Sequence, residues 1–238
     1  MELATTPTEV IRMKEASRGF RPALRINNGL LGNLEKRTLL WIANRLPSSI
    51  NSDHLTALGL FAMLAAGVCY AFSDHQPAML LAVNLCLALN WFGDSLDGTV
   101  ARVRNRQRPR YGFYVDHVVD IFGALALLAG MALSHRMSPL VAAGVLTAFL
   151  FLSIESYLAT YTLGEFHLSF GGFGPTELRL LLAIGNLFLM HFRMGRAFGH
   201  PMLILDIGGL CAIIAMGAMM LWAVIAHTIT LYGQERLG

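Results

Sequence analysis

Charge is what this 238-residue sequence has least of. Asp, Glu, Lys and Arg make up 14% of it, against about 25% in an ordinary soluble domain. That deficit excludes a fully solvated surface, and hydrophobic residues, at 55%, take up the difference. Cysteine is also scarce. Cys69, Cys86 and Cys211 each sit inside an apolar run, with spacing for neither a disulfide framework nor a metal site, so they read as small core residues. The first 30 residues are polar and basic and lack an apolar h-region, so no cleavable leader is expected. Internal repeats and low-complexity segments are absent. Nucleic acid is not expected among the partners.

What is present is apolar length. A membrane span needs roughly 20 mostly apolar residues, and six stretches qualify, at about 54–73, 76–101, 112–134, 138–163, 176–195 and 204–231. The fifth is the weakest, starting at Pro175 and broken by Gly185 and Asn186. The expected fold is all-α and integral to the membrane, with six transmembrane helices over residues 47–238. Residues 1–33 read as a polar tail. Residues 34–46 carry Leu34, Leu39, Trp41, Ile42 and Leu46 among charges, the pattern of an N-terminal amphipathic helix. It either lies in the membrane interface on the cytosolic side or packs on the cytosolic face.

The few charges are placed unevenly. Eight of the 18 Lys and Arg residues precede residue 46, and five more, Arg102, Arg104, Arg106, Arg108 and Arg110, alternate between the second and third spans. Cytoplasmic connections collect such residues, so both regions are expected in the cytosol. Arg193 and Arg196 then fall on the far side, against the rule. A chain of this kind without an additional soluble domain is expected in a bacterial inner membrane.

The acids carry the chemistry. Asp94 and Asp97 close the second span at i and i+3, and Asp116 and Asp120 open the third at i and i+4, so each pair shares one helix face. Gly98 and Ala101 extend the first stripe, and Gly112 and Gly123 flank the second. The short linker between the spans predicts antiparallel neighbours with facing stripes. Two like charges 4 Å apart repel by about 4 kcal/mol at an effective dielectric of 20, so protons or divalent cations must neutralise them. Oxygen-only ligands favour Mg²⁺ or Mn²⁺, and a pair of such ions would suit a diphosphate. A cation- or proton-coupled membrane transporter is the competing reading. It is less well served by acids at helix ends beside five arginines, with no repeat.

Asp94-x2-Asp97-Gly98-x2-Ala101-Arg102-x9-Gly112-x3-Asp116-x3-Asp120 resembles the signature of the CDP-alcohol phosphotransferase family, and Asp53-His54-Leu55-Thr56 resembles a second element of it. The resemblance implies a metal-dependent enzyme of phospholipid synthesis. Such an enzyme moves a substituted phosphate from a CDP-linked alcohol to an acceptor hydroxyl and releases CMP. It implies two divalent ions, Mg²⁺ or Mn²⁺, held by Asp94, Asp97, Asp116 and Asp120, with Asp120 also the catalytic base. It implies a CDP site around Asp53, Thr56, Gly98, Ala101, Arg102 and Gly112, and a homodimer in contact with membrane lipids. One of the two alcohols would be a lipid. Arg108, beside Pro109, is a further candidate for the phosphates.

The motif does not separate a CDP-diacylglycerol donor from a CDP-choline or CDP-ethanolamine donor. Candidates for the acceptor or headgroup are Glu155 and Tyr157 late in the fourth span, and Glu177 and Arg179 at the start of the fifth. Acids and rings would suit a cationic amine, whereas Arg179 would suit an anionic acceptor. Glu177 also fits simple helix capping. His117 points off the aspartate stripe and is expected to pack.

Overall fold

A computed structural model of the chain describes residues 24–26, 32–167, 174–197 and 199–236. Helix α1 covers Gly32–Ala43, starting two residues before the expected 34–46 segment and stopping three short of its end. Leu39 and Ala43 are buried against Leu55, Leu96 and Val100, while Trp41 is 59% exposed. The helix thus packs on the bundle with one face and turns an aromatic outward with the other. The Arg45 guanidinium lies 4.1 Å from the Trp41 ring centroid. Of the expected polar tail, only the strand Leu24–Ile26 (β1) and the start of α1 lie within the described residues. β1 pairs in parallel with Glu165–His167 (β2).

Among the described residues, five helices are long and apolar enough to cross a membrane: α2 (Ser52–Phe72), α3 (Met79–Val103), α4 (Pro109–Leu133), α5 (Pro139–Leu163) and α7 (Ile204–Gln234). Local chemistry sets their ends. Asn51 and His54 form a reciprocal capping box on α2, which satisfies two otherwise orphaned donors. Proline occupies the first turn of α4 and α5, where its missing N–H costs nothing. Gly164 ends α5 at φ +74°, a left-handed conformation that glycine adopts without a Cβ penalty.

The second and third expected spans, α3 and α4, are not the packed neighbours the short linker suggested. α2 packs against both, and α3 and α4 scarcely touch. Backbone proximity explains the wedge. A Cβ on Gly93 would lie 2.5 Å from the Leu55 carbonyl oxygen and 2.7 Å from the Gly59 nitrogen. Towards the other end, a Cβ on Gly67 or Gly130 would overlap the facing backbone. Small residues let helices in a membrane approach this closely, so α2 slots between its two partners. Tyr70, Leu80, Val83, Leu87 and Leu127 fill the core beyond the wedge.

The fifth expected span is also different. The helix there, α6 (Pro175–Leu189), has 15 residues, about 22 Å of rise against a hydrocarbon core of about 30 Å. At its end the Leu189 carbonyl accepts from Arg136 Nη1 at 3.0 Å, which satisfies one of the acceptors a helix terminus leaves open. The chain then enters an antiparallel hairpin, β3 (Met194–Ala197) and β4 (His200–Leu203). Even so, α6 lies along α3, with Asn186 and Leu189 buried and much of its outer face exposed. Arg179 near its start meets Asp94, and Asn186 near its end accepts from the Tyr70 hydroxyl at 2.7 Å and donates to Asn84 at 2.8 Å. α5 and α7 run parallel, joined by Asp206 accepting from the Ser138 N–H at 2.7 Å and by a Glu155–His227 pair at 2.6 Å.

At the end of the bundle away from the aspartates, Arg136 is 4% exposed and also donates to the Ser73 carbonyl at 2.7 Å. Burial, reinforced by Arg193 and opposed by Asp74, pulls its pKa below the usual guanidinium value. Arg193 binds Asp74 at 2.6 Å and the His135 carbonyl at 2.7 Å. Its position against the charge rule therefore has a local cause: it closes that end.

Candidate active site

The wedge leaves an open cleft at the other end, where α3 finishes and α4 begins. Its floor is the start of α2, with Ser52, Asp53 and Thr56. One wall is α3, with Asp97, Gly98 and Ala101. The facing wall is α4, with Tyr111, Gly112, Val115 and Asp116, and the α3–α4 connection adds Arg106 and Arg108. The cleft has a volume of about 90 Å³. That accommodates a phosphate-sized group, and anything larger must extend into the open side.

Sequence-predicted residues gather here in specific pairings. Thr56 donates to Asp97 Oδ2 at 2.6 Å, and the other oxygen of Asp97 accepts the Gly98 N–H. Arg108 forms an ion pair with Asp53 across the mouth and stacks 4.2 Å from the Tyr111 ring centroid. A Cβ on Gly112 would meet nothing within 4 Å, and one on Gly98 would meet only the flexible tip of Arg102. Backbone is therefore bare on both walls. Arg102 does not line the cleft; it is exposed and donates to Thr99 at 3.1 Å.

Asp94 and Asp120 lie apart from that opening. Asp94 accepts from Arg179 Nη2 at 2.5 Å, and Arg179 Nε donates to Asn90 at 2.8 Å. Asp120 is exposed. The charges of Asp94, Asp116, Asp97 and Arg179 all act on it. The two carboxylate stripes therefore face each other across a gap rather than through direct helix contact.

The donor set suits a hard divalent cation. It offers carboxylate oxygens alone, and one guanidinium stands among four acids. As they stand, no three His, Cys, Asp or Glu side chains among the described residues converge on one point, since Asp94 and Asp97 are turned to protein donors.

The four acceptor candidates do not form one cluster. Glu177 accepts the Gly174 N–H at 3.0 Å and so caps α6. Glu155 faces α7 through His227. Tyr157 turns to α4, where its ring packs edge-on against His117 at 4.7 Å. Arg179 binds Asp94, and Tyr157 lies within electrostatic reach of Asp120 and Asp116. His117 is buried and bonds the Phe113 carbonyl at 2.6 Å, the packing role expected of it. The Glu165 and His167 side chains lie outside the described residues.

Two residues went unnoticed in the sequence. Asn90 holds the Gly59 carbonyl at 3.1 Å while accepting from Arg179. Its signal was a polar residue one turn before Asp94. Glu35 accepts from Trp91, Ser95 and Thr176, and a glutamate in the first turn of a charged helix gives no such signal. Arg104 proves structural, donating to the carbonyls of Leu46, Pro47 and Ile50 and so tying down the segment before α2.

The chain matches the CDP-alcohol phosphatidyltransferase family over residues 50–231, a range that holds all four aspartates and the whole cleft. No individual curated protein matches it with significance. The chain belongs to the CDP-alcohol phosphatidyltransferase family. It is a multi-pass membrane protein of a transferase family of phospholipid biosynthesis, whose reaction moves phosphate from a CDP-alcohol to an acceptor alcohol.

Proposed function

We propose that, within this family, the chain is a metal-dependent transferase working at the cytosolic face, with the cleft as its CDP site. The observation that carries the reading is the composition of the cleft. Carboxylates, bare glycine backbone and guanidinium groups meet on one small volume, as a metal-bound diphosphate requires. Asp94, Asp97, Asp116 and Asp120 would hold two divalent ions, Mg²⁺ or Mn²⁺, which offset charge on the diphosphate when bound. Gly98, Ala101 and Gly112 admit the nucleotide against the helices, with Asp53, Thr56 and Arg108 around it and Arg102 at the rim.

Asp120 takes the proton of the acceptor hydroxyl, whose own pKa is far too high for ionisation at neutral pH. The acceptor oxygen bonds to the phosphorus that carries the CDP-linked alcohol, the bridging P–O bond breaks, and CMP leaves with the electron pair. Arg179, though bonded to Asp94 and Asn90, lies among the proposed metal ligands and suits an anionic acceptor. The acids that would have suited a cationic headgroup, Glu155 and Glu177, are engaged by His227 and by the α6 cap.

The basic residues of the α3–α4 connection support a cytosolic cleft. Because α6 runs from the aspartates to the far end, it serves as a short sixth crossing. A homodimer is part of the reading and is checked by the mass of the purified complex in detergent. The decisive assay is a panel with Mg²⁺ or Mn²⁺: CDP-diacylglycerol with small alcohols and alcohol phosphates, then CDP-choline and CDP-ethanolamine with diacylglycerol. Metal-dependent CMP release fixes donor and acceptor together. Cation flux into liposomes without CMP release from any donor would overturn the enzyme reading in favour of a transporter.

A further inference from the structure

The surface helix α1 reaches the site through a single carboxylate. Glu35 Oε1 accepts from Trp91 Nε1 at 2.8 Å, from Ser95 Oγ at 3.2 Å and from Thr176 Oγ1 at 2.8 Å. Trp91 and Ser95 bracket Asp94 on α3. Thr176 lies in the first turn of α6, and Arg179 follows it three residues later on the same face. Where α3 and α6 meet, one bond between them is therefore Arg179–Asp94, and one turn away Glu35 ties both helices to α1. The carboxylate also lies at the start of α6, where the helix dipole favours negative charge.

We infer that Glu35 is a positioning residue: it clamps the start of α6 to the Asp94 turn of α3 and so sets how Arg179 meets Asp94. Glu35 handles no substrate. Its effect passes through the register of two helices, and the N-terminal helix becomes part of the site's framework rather than an anchor alone. This rests on the reading of the site proposed above.

The test is a double-mutant cycle on CMP release by the full-length protein in detergent or liposomes, using the donor and acceptor that the panel selects. Glu35→Ala removes the acceptor and lowers kcat by about 10- to 100-fold, the scale of a misplacement of about 1 Å. The donor KM stays within about twofold, because Glu35 touches Trp91 and Ser95 rather than the α3 residues that line the cleft, Asp97, Gly98 and Ala101. Glu35→Gln keeps an acceptor oxygen and restores kcat to within about threefold of wild type, which separates the clamp from a general loss of fold. Arg179→Lys keeps the charge but loses the fork. Combining it with Glu35→Ala gives no further loss beyond Arg179→Lys alone, the coupling expected of residues acting through one contact.

A normal kcat in Glu35→Ala, or losses that multiply in the double variant, overturns the clamp while leaving the enzyme reading intact. A wild-type protein that releases no CMP with any donor overturns that reading and the clamp together.

Discussion

The two ends of this bundle use the same residue types to opposite effect. At the far end, Arg136 donates to the carbonyls of Ser73 and Leu189, Arg193 closes on Asp74, and Tyr70, Asn186 and Asn84 form a chain of hydrogen bonds. Apart from the buried Ser73 Oγ and Arg136 Nε, these groups are matched, and the end is sealed. At the cleft end, Arg179 binds Asp94 and acts on Asp120, glycine backbone lies bare, and an ion pair spans an open mouth. Buried polar groups stabilise when satisfied and are costly when not. Under the proposed reading, the crowded acids and bare backbone of the cleft end are kept for a ligand.

Substitutions can break that contrast. The largest effect belongs to Asp120→Asn. CMP release falls by about 1,000-fold, within the range for loss of a general base, while the melting temperature in detergent is unchanged. Arg136→Met does the reverse at the sealed end. It leaves two buried carbonyls without a donor, at about 1–3 kcal/mol each, so chemical denaturation in detergent shifts while kcat per folded molecule holds.

Gly93→Ala sharpens the comparison by acting on both. Its Cβ meets the Leu55 carbonyl, and overpacking of about 1–3 kcal/mol appears in the melt together with a lower kcat. Gly112→Ala is its counterpart, expected to leave the melt unchanged and raise only the donor KM. Smallest is Tyr70→Phe, which removes one hydrogen bond to Asn186 and costs about 1 kcal/mol with no kinetic change, read from paired melting and CMP-release curves.

Much of this contrast was legible in the sequence, because period and spacing report which residues share a face. The carboxylate stripes, their glycine flanks and the outward Trp41 all follow from that rule. Spacing does not report which helix stands beside which. The short linker suggested that α3 and α4 pack together, yet the decisive information lay in Gly59, Gly67, Gly93 and Gly130, which make α2 the closer partner of both. Asn186 looked like an interruption of an apolar run and is instead a buried bonding residue on a short helix. Glu177 was ambiguous between capping and contact, since one glutamate after Pro-Thr satisfies either description. The Arg179–Asp94 bond joins residues 85 positions apart, and nothing local to either predicts it.

The glycine-lined wedge of α2 also separates two kinds of heritable change. The carboxylates sit on α3 and α4, whereas the distance between those helices is set by side-chain size along α2 and its contacts. A descendant protein could therefore widen or narrow its cleft for a different alcohol by exchanging small residues on the spacer, with every reactive group left in place. Divergence in substrate and retention of chemistry would then be recorded in different helices of the same bundle.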